Sequence, residues 1–501
     1  MKKSARSHHR LSLSVIILIS IILLASVPRV IEVLNGNYLF GFDQGKQWLG
    51  AKALIVDHKI PLIGDEVGGA RGFFQGPGWI YLLSVFYVLF NGNPYGGIFL
   101  MFISGITTVG LGVWLFGKAI GRLEGAMIGL FLAISPILIE SSRFTWPPHI
   151  IPPLTVIILY CLWRVLEDKF LYLPILFFFV SCMAHFEIAT AGTFSIALLV
   201  FLIPFAFFKK IPLKWLLLTA VAWCLPFTPL VIFDIRHQFI NTKGILATFG
   251  GNRQFAKSLM ALTENHYMIF TSAMSHAFQT LYTSIFAVIL FFILGLFQFK
   301  DKTVTPVRRQ FVGFLYAFPF VLFGICTLYK NDMWPWWLYE LAVIVVVSFA
   351  LAVSWLMKKK GILRVLSILL TVLMLSGFIK ESMRFWKYDY PDYGGVYKIR
   401  GKEDALDYIY KDAKGYPFGL YVFSPPIYTY PYDFLIWWYG TKKYGYYPPQ
   451  KELPVFYLLA EPDPEKPWTY KGWMETAIKE GTAVSRITLP SGFIVEKRTM
   501  P

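Results

Sequence analysis

Long apolar runs separated by short polar links fill the first 380 residues of the chain. A helix that crosses a membrane needs ~20 consecutive apolar residues, with roughly 17 to 25 tolerated. The runs predict about eleven such helices and therefore a polytopic α-helical membrane protein. They lie at 11–34, 96–116, 124–140, 149–166, 170–184, 188–208, 213–233, 281–299, 311–329, 334–357 and 361–379.

The apolar run at 77–90 is too short for a crossing helix and suits an interfacial or re-entrant segment. A crossing there would also move every basic link to the outer side, so we place this run in the outer leaflet. The first run follows Lys2, Lys3, Arg6 and Arg10, as in a signal peptide. Because many further spans follow, we expect an uncleaved first helix.

The last 120 residues change in composition, starting with turn-forming residues after Asp389. We predict a transmembrane module over 1–380, with external loops 35–76 and 234–266, and a small extracytoplasmic α/β domain over 381–501. No Gly-rich phosphate loop accompanies that domain, so a nucleotide-binding fold is not expected. Its predicted elements are a helix near 402–412, a strand at 418–424, an aromatic stretch at 427–439, a strand at 454–460, a helix at 470–480, and strands at 483–488 and 492–497.

Charge supports this division and sets the predicted orientation. The net charge is +17, yet residues 381–501 hold 16 basic and 15 acidic side chains, which leaves 31 and 15 in residues 1–380. A nucleic-acid binder would need a basic face. Here the cations gather in short links between apolar runs, as is typical of cytoplasmic flanks. The links hold Lys118 and Arg122; Arg164 and Lys169; Lys209, Lys210 and Lys214; Lys300, Lys302, Arg308 and Arg309; and Lys358, Lys359, Lys360 and Arg364.

Composition agrees with a membrane protein. Apolar residues make up 56% of the chain and charged residues 15%, against about 25% charged residues in soluble domains. The four cysteines all lie inside apolar runs, so neither a disulfide framework nor a cysteine metal motif is expected.

Asp43 is the leading candidate for catalysis. It lies just after the first span, in the segment Phe-Gly-Phe-Asp-Gln-Gly-Lys-Gln-Trp that ends at Trp48. A carboxylate at the membrane surface, surrounded by aromatic residues, is suited to act as a base towards a sugar hydroxyl. On these residues alone, a helix-capping or surface role is the more common one for a single Asp, and it is the order of the further features that favours catalysis.

Other polar and aromatic residues fall in the predicted external segments. His185 and Glu187 suit either a metal or hydroxyl site or structural hydrogen bonding, and a pair without a third ligand favours the structural role. His149 lies between two Pro pairs. Trp336 and Tyr339 belong to an aromatic group that suits either stacking on a sugar or isoprenoid or an interfacial belt.

The order of these features resembles the polyprenyl-phosphate-dependent GT-C glycosyltransferases, especially glycosyltransferase family 39, the protein mannosyltransferase-like enzymes, and its bacterial relatives. The resemblance covers roughly residues 30–350. The matching features are Asp43 in the first external loop, Ser135-Pro136, the second external loop Arg143-Phe-Thr-Trp-Pro-Pro-His149-Ile-Ile-Pro-Pro153, Ala184-His185-Phe186-Glu187, and the segment from Leu225 to Thr242.

The resemblance implies a role for each matched residue. Asp43 would deprotonate the acceptor hydroxyl, which attacks the anomeric carbon with inversion, and a polyprenyl phosphate would leave. Planar guanidinium groups suit its phosphate oxygens. Arg236 and Arg143, then Arg71 and His237, are the candidates, with anchoring to lipid headgroups as the alternative. Many relatives carry an acidic pair in the first loop, but here Gln44 follows Asp43 and the second loop has no Asp-x-Asp, so no metal or other cofactor is indicated.

We therefore expect a multi-pass plasma-membrane enzyme with no nucleic-acid partner. It would move a hexosyl or pentosyl group from a polyprenyl-phosphate donor to a cell-envelope glycan, lipid or protein on the outer face. The alternative function is a transporter or flippase for a lipid-linked glycan. Transporters often carry repeated halves and polar groups at the bilayer midplane, whereas the ionisable residues here lie mostly at outer span ends.

Overall fold

The computed structural model describes residues 13–68, 70–250, 259–278, 284–329, 332–425 and 428–501. Within these residues, seven helices are long and apolar enough to cross a membrane, and four shorter apolar helices accompany them. Each predicted span coincides with a helix or a helix pair, so the predicted polytopic helical architecture is confirmed. The basic residues before the first helix, residues 251–258 of the predicted external loop 234–266, and the start of the 281–299 span lie outside the described residues.

The helices of the membrane part follow one another with short connections. They are α1 (Leu13–Arg29), α2 (Ile31–Asn35), α3 (Phe42–Ile55), α4 (Gly78–Leu89), α5 (Tyr95–Ala119), α6 (Arg122–Ile134), α7 (Pro136–Glu140), α8 (Ile151–Leu166), α9 (Tyr172–Cys182), α10 (Ile188–Lys209), α11 (Leu213–Cys224), α12 (Thr228–Arg236), α13 (Ile240–Gly250), α14 (Leu259–Ser275), α15 (Ser284–Lys300), α16 (Pro306–Thr327), α17 (Tyr339–Met357) and α18 (Ile362–Arg384). Helix α17 is buried from Glu340 to Leu356 and forms the centre of the bundle.

The predicted span at 124–140 is two helices, because the chain leaves the helical conformation at Ser135. That residue is extended, with φ −68° and ψ 125°, between the end of α6 and the start of α7. The ring of Pro136 disfavours the helical conformation for the residue before it. The Ser135-Pro136 pair is therefore a break that turns the chain into the second external loop.

Two predicted loops contain helices that we did not predict. The loop at 35–76 contains α3, and the loop at 234–266 contains α13 and the start of α14. Helix α3 buries Trp48 and Ala51, yet glycines interrupt its apolar pattern. Tertiary packing supplies most of the stability of such a helix, so its own sequence gives a weak signal.

Basic links from distant parts of the chain contact one another, as expected if they share one side of the membrane. Glu124 pairs with Arg308 at 2.7 Å and also with Lys358, and Asp301 pairs with Lys359 at 2.5 Å. These ion pairs connect three of the five links. The assignment of these links to the cytoplasm stays a prediction.

The C-terminal residues form a mixed four-stranded sheet with three helices. The elements are α19 (Ile399–Asp412), β1 (Gly419–Phe423), α20 (Tyr430–Leu435), β2 (Val455–Ala460), α21 (Trp468–Ala477), β3 (Thr482–Thr488) and β4 (Ile494–Thr499), with a π-helical segment over Ile436–Tyr444. The strand order is β1-β2-β4-β3, in which β1 and β2 are parallel and the other pairs are antiparallel. Each predicted helix and strand is present within a few residues.

A set of hydrogen bonds ties the start of the first external loop to the segment before α19. We call this contact between residues 35–40 and 390–400 the seam. Its bonds run from Asn35 Nδ2 to the Tyr390 carbonyl at 3.0 Å, from Asn37 Nδ2 to the Asp392 carbonyl at 3.0 Å, from Phe40 N to the Tyr397 carbonyl at 3.2 Å, and from Ile399 N to the Tyr38 carbonyl at 2.9 Å.

The small domain also packs directly on α3. A Cβ atom added at Gly45 would lie 2.3 Å from the backbone nitrogen of Pro431, at the start of α20. Phe40 and Trp48 contact the ring of Phe434 on the same helix. The helix that carries Asp43 is thus held between the membrane bundle and the small domain.

Candidate active site

Asp43 lies in the first turn of α3, where the unpaired backbone amides of a helix favour a negative charge. Its neighbour Gln44 is buried and fixes this turn. Gln44 Oε1 accepts a hydrogen bond from the Gly41 amide at 2.9 Å, and its Nε2 donates to the Thr145 carbonyl at 2.9 Å. The residue that replaces the expected second acid therefore joins the first external loop to the second.

Asp43 is half-buried and surrounded by groups of both charges. The Trp146 side chain lies beside it and favours its charged form. Burial raises the pKa of Asp43 above its ordinary value and the nearby Asp65 adds to the rise, while Lys46 and Trp146 offset part of it. Lys46 Nζ itself lies 2.7 Å from Asp65 Oδ1. A carboxylate with a raised pKa in a partly desolvated setting suits proton abstraction near neutral pH.

An aromatic cluster extends from Trp146 to the start of α17. We define it as Phe144, Trp146, His149, Trp334, Trp336 and Tyr339. The ring of Trp146 meets Trp336 edge-on, with centroids 5.0 Å apart, and Trp336 stacks on Trp334. His149 Nε2 lies 2.9 Å from Tyr339 Oη. The structure therefore brings the predicted residues Asp43, His149, Trp336 and Tyr339 into one connected group.

His185 and Glu187 each have a local partner. His185 Nδ1 accepts a hydrogen bond from the Gly78 amide at 3.2 Å, and a Cβ atom at Gly76 would lie 2.1 Å from the same nitrogen. Glu187 caps α10, with Oε1 3.3 Å from the Ala189 amide. Among the described residues, no group of three or more His, Cys, Asp or Glu side chains forms a metal site. These contacts favour the structural interpretation of both residues.

Arg143 is held between two carboxylates. Its Nη2 is 2.6 Å from Glu32 Oε1 and 2.9 Å from Asp389 Oδ2, and its guanidinium lies 4.2 Å from the Phe385 ring centroid. Burial opposes its charge, but the two carboxylates hold its pKa above the ordinary value. Two carboxylates therefore already neutralise the guanidinium, and a donor phosphate would have to compete with them. The predicted role of Arg143 towards the phosphate stays a prediction.

Arg71, Arg236 and His237 are exposed at the junction of the first external loop with α12 and α13. His237 stacks on Phe233, whose ring meets Phe74 edge-on. No hydrogen bond or ion pair joins these three side chains to Asp43 in the part of the chain that the structure describes. Their predicted role towards the phosphate stays a prediction.

A large apolar cavity of about 430 Å³ opens between the first external loop and the bundle. Val67 and Phe73 line it from the loop, and Trp337 connects it to the aromatic cluster. We did not predict this cavity, because its wall combines residues that are distant in the chain. The lining comes from α10 (Ile188, Ala189, Ala191, Gly192, Thr193, Ser195, Ile196), α11 and its following turn (Trp223, Phe227), α13 (Ile245, Thr248), and α16 and the residues after it (Ile325, Cys326, Leu328, Tyr329, Met333).

Similarity to known proteins is confined to solved structures. No protein-family model and no curated protein sequence matches the chain. ArnT from Cupriavidus metallidurans bound to undecaprenyl phosphate is similar, with a TM-score of 0.60 and 12% identity over 96% of this chain and 97% of that chain. Its apo structure gives a TM-score of 0.57 and 11% identity over the same shares. An oligosaccharyltransferase from Archaeoglobus fulgidus, in complex with zinc and sulfate, has a TM-score of 0.43 and 16% identity over 82% of this chain and 60% of that chain.

The ArnT similarity extends over both the membrane part and the small domain. The chain has a GT-C fold. The architecture implied by the sequence resemblance is therefore confirmed. A sequence identity this low supports a shared fold alone, so the roles of individual residues are still to be tested.

Two residues next to Asp43 escaped the sequence analysis. Lys46 lies three positions after Asp43, a spacing that places two side chains on one face of a helix. That signal was hidden because α3 itself was not predicted. Trp146 was visible only as part of the second external loop. Its position beside Asp43 goes with a long-range contact, the hydrogen bond that Gln44 donates to the carbonyl of the preceding residue, Thr145.

Proposed function

We propose that the protein is an inverting glycosyltransferase that moves a sugar from a polyprenyl-phosphate donor to a hydroxyl acceptor on the outer face of the membrane. The sugar is a hexose or a pentose, and the acceptor is a cell-envelope glycan, lipid or protein. The observation that carries this proposal is the position of Asp43, at a helix N-terminus beside the aromatic cluster, with a raised pKa.

The proposed reaction is a single displacement. Asp43 accepts the proton of the acceptor hydroxyl while the acceptor oxygen forms a bond to the anomeric carbon of the donor sugar. The bond between that carbon and the phosphate oxygen breaks, and polyprenyl phosphate leaves with the electron pair. Attack from the face opposite the leaving group inverts the configuration. The aromatic cluster next to Asp43 offers flat apolar surfaces on which the sugar ring can be oriented.

The apolar cavity supports a lipid-linked donor. Its lining is almost entirely hydrocarbon and aromatic, as an isoprenoid chain requires. Trp337 in this lining donates a backbone hydrogen bond to the carbonyl of Trp334, which belongs to the aromatic cluster. ArnT, which shares the fold, has been solved with undecaprenyl phosphate bound. Arg71 belongs to the same loop as the lining residues Val67 and Phe73, so it is our first candidate for the phosphate, with Arg236 and His237 on the neighbouring helix.

Asp43→Asn tests the proposal directly. We would supply the purified protein with radiolabelled polyprenyl-phosphate hexoses and pentoses and an envelope extract, then measure glycosidic product. We expect transfer to fall by about 10²- to 10⁴-fold, as for loss of a general base. Asp57→Asn is the matched control, because Asp57 follows the same helix but pairs with Lys52 at 2.9 Å.

Two outcomes would contradict the proposal. Equal transfer by Asp43→Asn and wild-type protein would remove Asp43 from the role of base. Movement of a lipid-linked glycan between leaflets, without any glycosidic product, would identify a transporter or flippase.

A further inference from the structure

A second cavity, of about 230 Å³, lies between the start of α3 and the small domain. Its wall on the membrane side includes Phe42 and Gln44, the two neighbours of Asp43 in the chain. We call it the small-domain cavity. Its other lining residues are Leu39, Gly41, Phe144, Tyr397, Lys402, Ser424, Pro425, Tyr428, Pro431 and Glu461.

Lys402 places a buried cation in this wall. The residue is only 2% exposed, and its Nζ donates a hydrogen bond to the Val396 carbonyl. An ammonium group carries three donors, and among the described residues no other hydrogen bond from this Nζ is present. Burial lowers the pKa of Lys402 to about 8, with the charge of Glu461 opposing the fall. The group still binds a proton at neutral pH and keeps hydrogen-bonding capacity towards a ligand.

Glu461 supplies the opposite charge. Its Oε2 accepts hydrogen bonds from Ser424 Oγ at 2.9 Å and from Tyr432 Oη at 2.7 Å. Within the described part of the chain, its Oε1 receives no hydrogen bond. The two hydrogen bonds to Oε2 thus fix the orientation of the side chain, and Oε1 can still accept a hydrogen bond from a ligand.

Aromatic rings complete the wall. Phe42 lies edge-on to Tyr428, with ring centroids 5.6 Å apart, and Tyr428 stacks on Tyr430. Binding sites commonly combine such apolar and aromatic surfaces with a few fixed polar groups. The cavity is smaller than the ~300–1,000 Å³ typical for drug-sized ligands, so it suits a single sugar ring. Because Lys402 and Glu461 carry opposite charges, a neutral polyol is favoured over a phosphate or a uronic acid.

We propose that the small-domain cavity binds the acceptor as the neutral, hydroxyl-rich end of a glycan, and that the small domain thereby selects the acceptor. This inference rests on the proposed glycosyltransferase function. Phe42 and Gln44 line the cavity and belong to the same first turn of α3 as Asp43, so a sugar in this cavity adjoins the turn that carries the proposed base. Glu461 and Lys402 bind ring hydroxyls and set which hydroxyl faces Asp43.

The test measures sugar binding apart from the reaction. Neutral p-nitrophenyl hexosides and the corresponding uronide are the probes, and binding to the full-length Asp43→Asn protein is followed by saturation-transfer NMR. We expect at least one neutral hexoside to bind, and the added change Glu461→Gln to weaken it about tenfold, the cost of a hydrogen bond to a charged group. Glutamine keeps an oxygen for Ser424, so the fold is retained, and an unchanged unfolding midpoint checks this.

Matched controls lie in the same domain but away from the cavity. Tyr428→Ala is compared with Tyr416→Ala, and Glu461→Gln with Glu475→Gln, because Tyr416 and Glu475 are exposed. The cavity variants are expected to raise the acceptor KM with the donor KM unchanged, and the controls to leave both unchanged.

The outcomes separate the two proposals. Equal binding by Glu461→Gln and its parent, or binding of no neutral hexoside, overturns the cavity proposal. The cavity proposal is also overturned if Glu461→Gln and wild-type protein turn over the donor equally with envelope extract as acceptor. In that case the glycosyltransferase function stands. Hexoside binding that depends on Glu461, in a protein that never turns over a polyprenyl-phosphate sugar, supports the cavity as a sugar site and removes the proposed function.

Discussion

Lys46 Nζ lies 2.7 Å from Asp65 Oδ1, one helical turn from Asp43. The two charges act on Asp43 in opposite directions: Asp65 raises its pKa and Lys46 lowers it. Their pairing holds both groups at fixed distances from the proposed base. Burial is the main cause of the raised pKa of Asp43, and the two members of the ion pair adjust it further, without themselves taking part in the transfer.

Neutralising Asp65 and neutralising Lys46 should move the acid limb of the pH profile of kcat/KM in opposite directions. A base works only when deprotonated, so activity is lost as pH falls through the pKa of Asp43. Asp65→Asn removes a repulsive charge and shifts the limb to lower pH, whereas Lys46→Met removes an attractive charge and shifts it to higher pH. The measurement is kcat/KM against pH. A shift of both variants in the same direction would contradict Asp43 as the titrating base.

Arg143→Met should destabilise the protein instead of specifically weakening donor binding. The substitution leaves the Glu32 carboxylate without its Arg143 partner, at a site where both side chains are about nine-tenths buried. Breaking a buried pair costs about 3–5 kcal/mol, measured as the loss of unfolding free energy in detergent. The double variant Arg143→Met/Glu32→Leu should recover part of this loss. A stable Arg143→Met protein with a raised donor KM would instead restore the phosphate-binding role.

Gly45→Ala should separate the small domain from α3. The added methyl group would lie 2.3 Å from the Pro431 nitrogen, and backbone atoms on both sides leave no flexible group to move. We expect a loss of about 1–3 kcal/mol in unfolding free energy. Gly324→Ala on α16 is the control, because nothing lies within 4 Å of its added carbon. Equal stability of the two variants would show that the packing of α20 on α3 is loose.

Gly192→Phe should weaken the use of a long-chain donor but not of a short-chain donor. Gly192 lines the apolar cavity with open space around its Cβ position, so the ring can enter the cavity without a backbone clash. We expect the KM for an undecaprenyl donor to rise roughly tenfold, which corresponds to about 55 Å² of lost apolar contact at ~25 cal/mol per Å². A short-chain donor should be unaffected. Gly324→Phe, on an exposed face, is the control, and equal effects on both donors would argue against a lipid chain in this cavity.

The membrane helices were predictable from sequence because each one must contain ~20 mostly apolar residues, whatever the rest of the chain contains. Helix α3 was missed because its stability depends on partners elsewhere, including Pro431. The position of Asp43 followed from the order of features along the chain. Arg143 was assigned to the phosphate on its type and location, yet it pairs with Glu32 and Asp389, which are 111 and 246 positions away. Residue spacing carries no information about such pairs.

The seam also sets the timing of assembly. Asn35 and its partner Tyr390 are 355 positions apart, and synthesis at ~5–20 residues per second separates their appearance by roughly 20–70 s. During that interval the bundle inserts helix by helix while α3 lacks the surface that holds it against α20. A chain cut short before residue 390 would therefore carry Asp43 without the small-domain cavity. The proposed activity would then require the last quarter of the chain to be made and docked.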